Sequence, residues 1–249
     1  MPQAVLDLVR AGDRLHEESQ GYFDLTLEPL LDLWGFGPRG QGEAVPSEEK
    51  LAEVRQRVGQ QHLRIDGEQL CKDADVQVDF NSIAAGYAVE RIVARLRELG
   101  VTSYLVEATG ELKAAGFKPD GSHWRIGLEA PRDDKRVAQR VLQLDGYGIS
   151  TSGDYRNYFE ENGQRYSHTL DPLTGRSVSH TLAAVTVADR STLRADGLST
   201  LLMVLGPDAG MAFAERNGIA AFFVTREGEG FVTHGTAAFE QLFAAGDEQ

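Results

Sequence analysis

Between Tyr166 and Val178 the chain reads YSHTLDPLTGRSV. A loop that only joined two strands would not need His168 three residues ahead of Asp171 and Pro172. An imidazole changes charge near neutral pH, so His168 could take a proton from a hydroxyl. It could equally be a structural histidine that hydrogen-bonds its own loop. Asp171 before Pro172 starts a turn, and Gly175 releases it. A second group lies in RADGLSTLLMVLG, where Asp196 and Thr200 are four residues apart and share a face if the segment is helical. A carboxylate and a hydroxyl side by side form a hard-oxygen pair. Mg²⁺ uses such oxygens together with water and substrate phosphates. A plain solvated helix face would show the same pair.

Three further stretches place Gly, hydroxyl or carboxylate residues beside apolar runs. In VDFNSIAAGYAVE, Asn81 and Ser82 lie where a helix should start and Gly86 falls inside its first turns. Gly inside a helix costs roughly 1 kcal/mol relative to Ala. Close helix–sheet packing, or approach of a ligand or ion to the backbone, would each account for it. In VEATGELKAAG, Thr109 and Gly110 read as a hairpin turn flanked by Glu107 and Glu111. In GISTSGDYRNYF, Ser150, Thr151 and Ser152 precede Gly153. That run suits a concavity of backbone N–H groups that holds an anion. It equally suits a turn leading into a helix capped by Ser152 or Asp154.

These stretches must be positioned by a chain of 249 residues, 41% hydrophobic and 25% charged, which is an ordinary globular composition. The formal net charge of −13 argues against nucleic acid and anionic membrane surfaces as partners. Cys71 is the only cysteine, so no intrachain disulfide forms. No run approaches the ~20 apolar residues of a membrane span, and the N-terminus lacks a signal-peptide pattern. It reads instead like the middle of an amphipathic helix, which suggests that further sequence belongs upstream.

The spacing predicts helices over 3–19 and 47–58, with Pro29 breaking the apolar segment between them. A hairpin turns at Asp66-Gly67, and a short strand leads from about Val76 into a helix that ends at Gly100. A hairpin at Thr109-Gly110, a strand over WRIGLEAP and one or two strands before residue 158 follow. The strand LAAVTVAD, two helices separated at Gly206 and a closing hairpin complete the chain. Antiparallel hairpins interleaved with helices give an α+β fold, with helices packed on mixed or antiparallel sheet, read as one domain over 1–249.

Taken together and in this order, the five quoted stretches resemble the ApbE family of flavin transferases, with GYFDLTLEPLLDLWGFGP matching the family's early segment. The resemblance runs from about residue 4 to about residue 243, and its most specific parts are the Ser-His-x-x-Asp-Pro-x-x-Gly and Asp-x-x-Ser-Thr blocks. It implies an enzyme that binds FAD and Mg²⁺. Such an enzyme passes FMN through a phosphoester bond to a Thr or Ser hydroxyl of an acceptor protein, releasing AMP. The acceptor would be a subunit of a membrane redox complex, and the location periplasmic or at the cell envelope.

By residue, the resemblance implies a catalytic base at His168. Metal ligation falls to Asp196, Thr200 and the carbonyl of Ala84. Nucleotide contacts fall to Ser82, Glu107, Thr109, Gly110, Thr151, Ser152, Gly153, His168 and Thr169. The chain departs from the family pattern at Ala85, where a Lys is usual, and at Thr109, where the pattern has Gly-Gly. On the same resemblance, the family's opening segment is missing at the N-terminus. Two other activities stay open: hydrolysis of FAD to FMN and AMP, and flavin binding without catalysis.

Overall fold

The structure is a computed structural model and describes residues 1–40, 42, 44–129, 138–154 and 157–244. Helix α1 (Gln3–Glu18) forms where the sequence keeps Leu8, Val9 and Leu15 on one buried face. In α2 (Glu28–Trp34), Pro29 sits in the first turn and Gly35 closes the helix at φ 88. Pro29 therefore starts a helix where the sequence suggests a break, because its fixed φ and missing N–H are harmless in a first turn. Ser47 caps α3 (Glu48–Val54) by accepting the Lys50 amide. The chain continues through β1 (Leu63–Asp66), β2 (Gln69–Lys72) and α4 (Ala84–Glu98). The strand expected near Val76 does not form; the Asp79 amide instead donates to the Leu25 carbonyl.

Next come β3 (Tyr104–Ala108), β4 (Glu111–Ala115), β5 (Trp124–Glu129), β6 (Ala138–Leu144) and β7 (Gly148–Gly153). The last two residues of the expected WRIGLEAP strand, Ala130 and Pro131, lie outside the described residues. Then follow β8 (Tyr158–Glu161), β9 (Gln164–Ser167), β10 (Leu170–Asp171), β11 (Arg176–Ser177), β12 (Leu182–Asp189) and α5 (Thr192–Arg216). The chain closes with β13 (Ala220–Glu227), β14 (Gly230–Gly235) and α6 (Ala237–Phe243). Helix α6 has no counterpart in the sequence reading.

The residues gather into two units: Met1–Ser82 with Asn157–Ser179, and Ile83–Arg156 with His180–Gln249. The first unit closes around Leu30, Trp34, Leu51, Val54, Phe159 and Leu170. The Trp34 indole N–H donates to the Gly175 carbonyl at 2.9 Å, so the buried ring keeps no unsatisfied donor.

The second unit is built on a six-stranded sheet in the order β14-β13-β12-β7-β4-β3, with each neighbouring pair antiparallel. Strand alternation divides its faces. Ile149, Ala184, Ala188, Phe222 and Val224 point into a core shared with α6 and the β5–β6 hairpin. Ser150 and Ser152 point the other way, to Ser199 of α5. Helix α5 is 25 residues long and apolar enough to cross a membrane, but most of it is buried as the core helix of this unit. It kinks at Gly206, which takes φ 79 and ψ −175 ahead of Pro207.

Candidate active site

In the first unit, His168 follows β9. Its backbone N–H and its Nδ1 both meet the carbonyl of Asn157, each at 3.1 Å. A carbonyl only accepts, so Nδ1 carries a proton, and in the neutral ring the lone pair then lies on Nε2. This tautomer suits a ring that takes a proton through Nε2. The Phe36 ring meets the imidazole edge-on, with centroids 6.4 Å apart. Thr169 is buried beside it, its amide donating to Ser167 Oγ.

Asp171 builds the turn. Its Oδ1 accepts the Leu173 amide at 2.8 Å, its Oδ2 accepts the Thr174 hydroxyl at 3.0 Å, and its carbonyl accepts the Gly175 amide. The segment thus holds itself in shape with Asp171 and presents His168. Ser82 lies in the turn just before α4.

In the second unit, Asp196 lies in the second turn of α5 and is only 5% exposed. Its Oδ2 accepts the Gly86 amide at 2.8 Å. Gly86 is the third residue of α4, and that amide has no partner within its own helix. Burial pushes the Asp196 acid up to about 8; the Gly86 amide acts against the rise, and the charge of Glu111 adds to it.

The hydroxyl of Ser199 donates to the Asp196 carbonyl at 2.9 Å. Having spent its single proton, Ser199 Oγ accepts from Ser152 at 2.9 Å and from Ser150 at 3.1 Å. The turn that carries Asp196 is therefore tied to β7. Ser150 also lies 3.4 Å from Glu111, which accepts the Thr109 hydroxyl at 3.2 Å. Burial raises the Glu111 pKa as well.

Asp196 answers its burial by holding its proton, and a cation bound beside it would favour the ionised form. Among the described residues no group of three or more His, Cys, Asp or Glu side chains could hold a metal. An ion at Asp196 would rest on that one carboxylate and on neutral oxygens. Those within reach of the sequence argument are the Thr200 hydroxyl, one turn along α5, and the carbonyl of Ala84, two residues before Gly86. One carboxylate with neutral oxygens and water suits Mg²⁺, so the residues fit the ion.

Gly86 serves close packing, but against helix α5 rather than against a sheet. A Cβ there would stand 2.4 Å from the Thr192 carbonyl oxygen and 2.8 Å from Asp196 Cβ. Gly86→Ala should therefore cost about 1–3 kcal/mol of stability by overpacking. It should also push Asp196 away and weaken stabilisation by Mg²⁺. Urea unfolding with and without Mg²⁺ measures both effects, and wild-type values in each would show that the helices separate freely.

The Asp196 pKa carries a pH prediction. An Asp with an ordinary value of 3.8 that titrates at about 8 when folded holds its proton more tightly in the folded state between those values. Stability of the metal-free protein therefore falls as pH rises through that window. Mg²⁺ needs the carboxylate, so its stabilising effect should grow in the same direction. The rise in melting temperature with Mg²⁺ should be larger at pH 8 than at pH 6, and equal rises would remove Asp196 from the site.

The remaining predicted residues are placed unevenly. Thr109 and Gly110 form the β3–β4 turn with φ 55 and φ 108, reached through the Thr109–Glu111 contact, while Glu107 is exposed on β3. Residues 150–153 form neither an anion-binding concavity nor a helix cap. They pair as strand β7 with Ala184–Val187 of β12. Ser152 faces α5, whereas Thr151 faces away and pairs its hydroxyl with Thr186 at 2.8 Å. Gly153 ends the strand.

Sequence reasoning gave Ser199 no role of its own, although it is the Ser of the Asp-x-x-Ser-Thr block and sits inside the apolar run DGLSTLLMVLG. It also missed the buried pair in which Arg226 donates to both oxygens of Asp154, at 2.6 and 2.9 Å, which no local pattern announces.

The fold is that of a flavin transferase. The chain superposes on the apo crystal structure of the flavinyl transferase ApbE of Pseudomonas stutzeri with TM-score 0.91 and 67% identity, over 98% of this chain and 76% of that one. It superposes on the flavin transferase ApbE of Vibrio cholerae with TM-score 0.88 and 39% identity, over 97% of this chain and 77% of that one. The chain belongs to the ApbE family, whose model matches residues 1–223. It is 42% identical over 240 residues to the FAD:protein FMN transferase of Vibrio cholerae, spanning 96% of this chain and 72% of that protein. Against the protein of the same name from Escherichia coli K12 it is 37% identical over 248 residues, covering 98% of this chain and 71% of that one.

Proposed function

We propose that this chain transfers FMN from FAD to a Thr or Ser hydroxyl of an acceptor protein, with AMP as leaving group and Mg²⁺ as the required ion. One observation carries the reading: nearly the whole chain aligns at 42% identity with a FAD:protein FMN transferase. The site chemistry supports it. In the reaction the acceptor oxygen forms a bond to the FMN-side phosphorus, the bond from that phosphorus to the AMP oxygen breaks, and the hydroxyl proton leaves. Such a transfer needs positioning, charge neutralisation and a proton acceptor. His168 takes the proton at Nε2, the unprotonated nitrogen of a neutral ring whose Nδ1 donates to the Asn157 carbonyl. Asp196, Thr200 and the Ala84 carbonyl would hold Mg²⁺, which neutralises phosphate charge when bound. Ser150, Ser152 and Ser199 keep the Asp196 turn in place.

On the resemblance, the acceptor is a subunit of a membrane redox complex and the protein acts at the cell envelope. The nucleotide contacts proposed are Ser82, Glu107, Thr109, Gly110, Ser152, Gly153, His168 and Thr169; the side chain of Thr151, on the far face of the sheet, is left out. Mass spectrometry tests the activity directly. The protein is incubated with FAD, Mg²⁺ and an acceptor that carries a target Thr. An acceptor heavier by one FMN unit is the expected product. Free FMN and AMP without a modified acceptor would make the chain an FAD hydrolase, and intact FAD would make it a flavin-binding protein.

A further inference from the structure

Helix α5 interrupts its own hydrogen-bond ladder. In an unbroken helix the Met203 carbonyl would accept the amide of the residue four positions on. That residue is Pro207, which has no N–H. The imidazole of His180, just ahead of β12, fills the gap: its Nε2 lies 2.8 Å from the Met203 carbonyl oxygen. The carbonyl can only accept, so Nε2 carries the proton and the ring stands where the proline removed a donor.

Three further observations show that the arrangement is built. Among the described residues, His180 Nδ1 is buried without a hydrogen-bond partner. Burial holds the His180 pKa below the ordinary imidazole value, which keeps the ring a neutral donor. A Cβ on Gly206 would stand 2.5 Å from the His180 ring, and the residue's φ of 79 suits glycine in any case.

The segment before the kink carries Asp196 and Thr200. Its start is fixed by the Ser191 hydroxyl, which accepts the Arg194 amide, and its middle by the serine hydroxyls of β7. Met203, buried one turn beyond Thr200, is where its far end is held. We propose that His180 is a positioning residue for the metal ligands: its ring N–H replaces the absent Pro207 amide and fixes the turn that follows Thr200. The inference rests on the reading that Asp196 and Thr200 hold Mg²⁺.

The test uses the whole chain with FAD present and Mn²⁺ as the probe, with free Mn²⁺ followed by electron paramagnetic resonance well below the melting temperature. His180→Met fills the space but has no donor. His180→Gln places an amide N–H close to the position of Nε2. His180→Met should weaken Mn²⁺ binding about tenfold, the lower end of what loss of outer-shell support costs a metal site. His180→Gln should restore most of the affinity. If His180→Met does not fold, the shorter His180→Asn supplies the same contrast with Gln.

A residue that only stabilises the fold would lower the melting temperature and leave the affinity of the folded protein unchanged. Wild-type affinity in folded His180→Met, with affinity lost in Asp196→Asn, overturns the role of His180 alone. Wild-type affinity in Asp196→Asn overturns the metal assignment and the inference with it.

Discussion

Asp196→Ala is expected to abolish Mg²⁺-dependent flavin transfer at limiting Mg²⁺. The substitution removes the only carboxylate proposed for the ion, and a hydroxyl with a carbonyl does not hold Mg²⁺ against water. The fold should survive. The variant loses the bond to the Gly86 amide but also the burial of an acid whose pKa stands near about 8. These changes oppose each other, so the metal-free melting temperature should shift little while the response to Mg²⁺ vanishes. Transfer rates across a Mg²⁺ titration, read beside melting curves, decide the matter. Wild-type activity at limiting Mg²⁺ would place the metal elsewhere.

His168→Asn should slow transfer by about 10²–10⁴-fold, the usual worth of a general base. Asn is a fitting replacement because its side-chain amide can still donate to the Asn157 carbonyl, the partner of Nδ1. What it lacks is the lone pair of Nε2. FAD and metal binding should therefore stay near wild type, and so should the melting temperature. The wild-type rate should climb from acid towards neutral pH, since a base must be unprotonated to act, and that rise should be absent from the residual activity of the variant. A near-normal rate in folded His168→Asn would rule out the base. Joint loss of stability and binding would mark a structural histidine.

The parts of the site that were legible in the sequence are local. Asp196 and Thr200 share a helix face because four residues make about one turn. Thr109-Gly110 turns a hairpin, and Gly206-Pro207 divides a helix. What was not legible depends on distant partners. Residues 150–153 look like a hydroxyl-rich turn until β12, more than 30 residues later, pairs with them. The tautomer of His168 is set by the carbonyl of Asn157, which no motif marks. His180 resembles any histidine ahead of a strand; its partner is a carbonyl 23 residues on. Pro29 was misread for a different reason, since the same residue that ends a helix from within can begin one.

The division of the chain into two units, each made of two separate stretches of sequence, bears on how the protein is made. A ribosome delivers the chain from its N-terminus. When Trp34 emerges, the ring partners Phe159 and Tyr166 and the hydrogen-bond acceptor Gly175 are still untranslated. When β7 emerges, its long neighbour β12 is likewise still to come. Neither core can close on the nascent chain until synthesis is well past its midpoint. Apolar surface on α1, α2 and β7 therefore waits, exposed, for later sequence, and a chaperone has most reason to meet this protein during that interval.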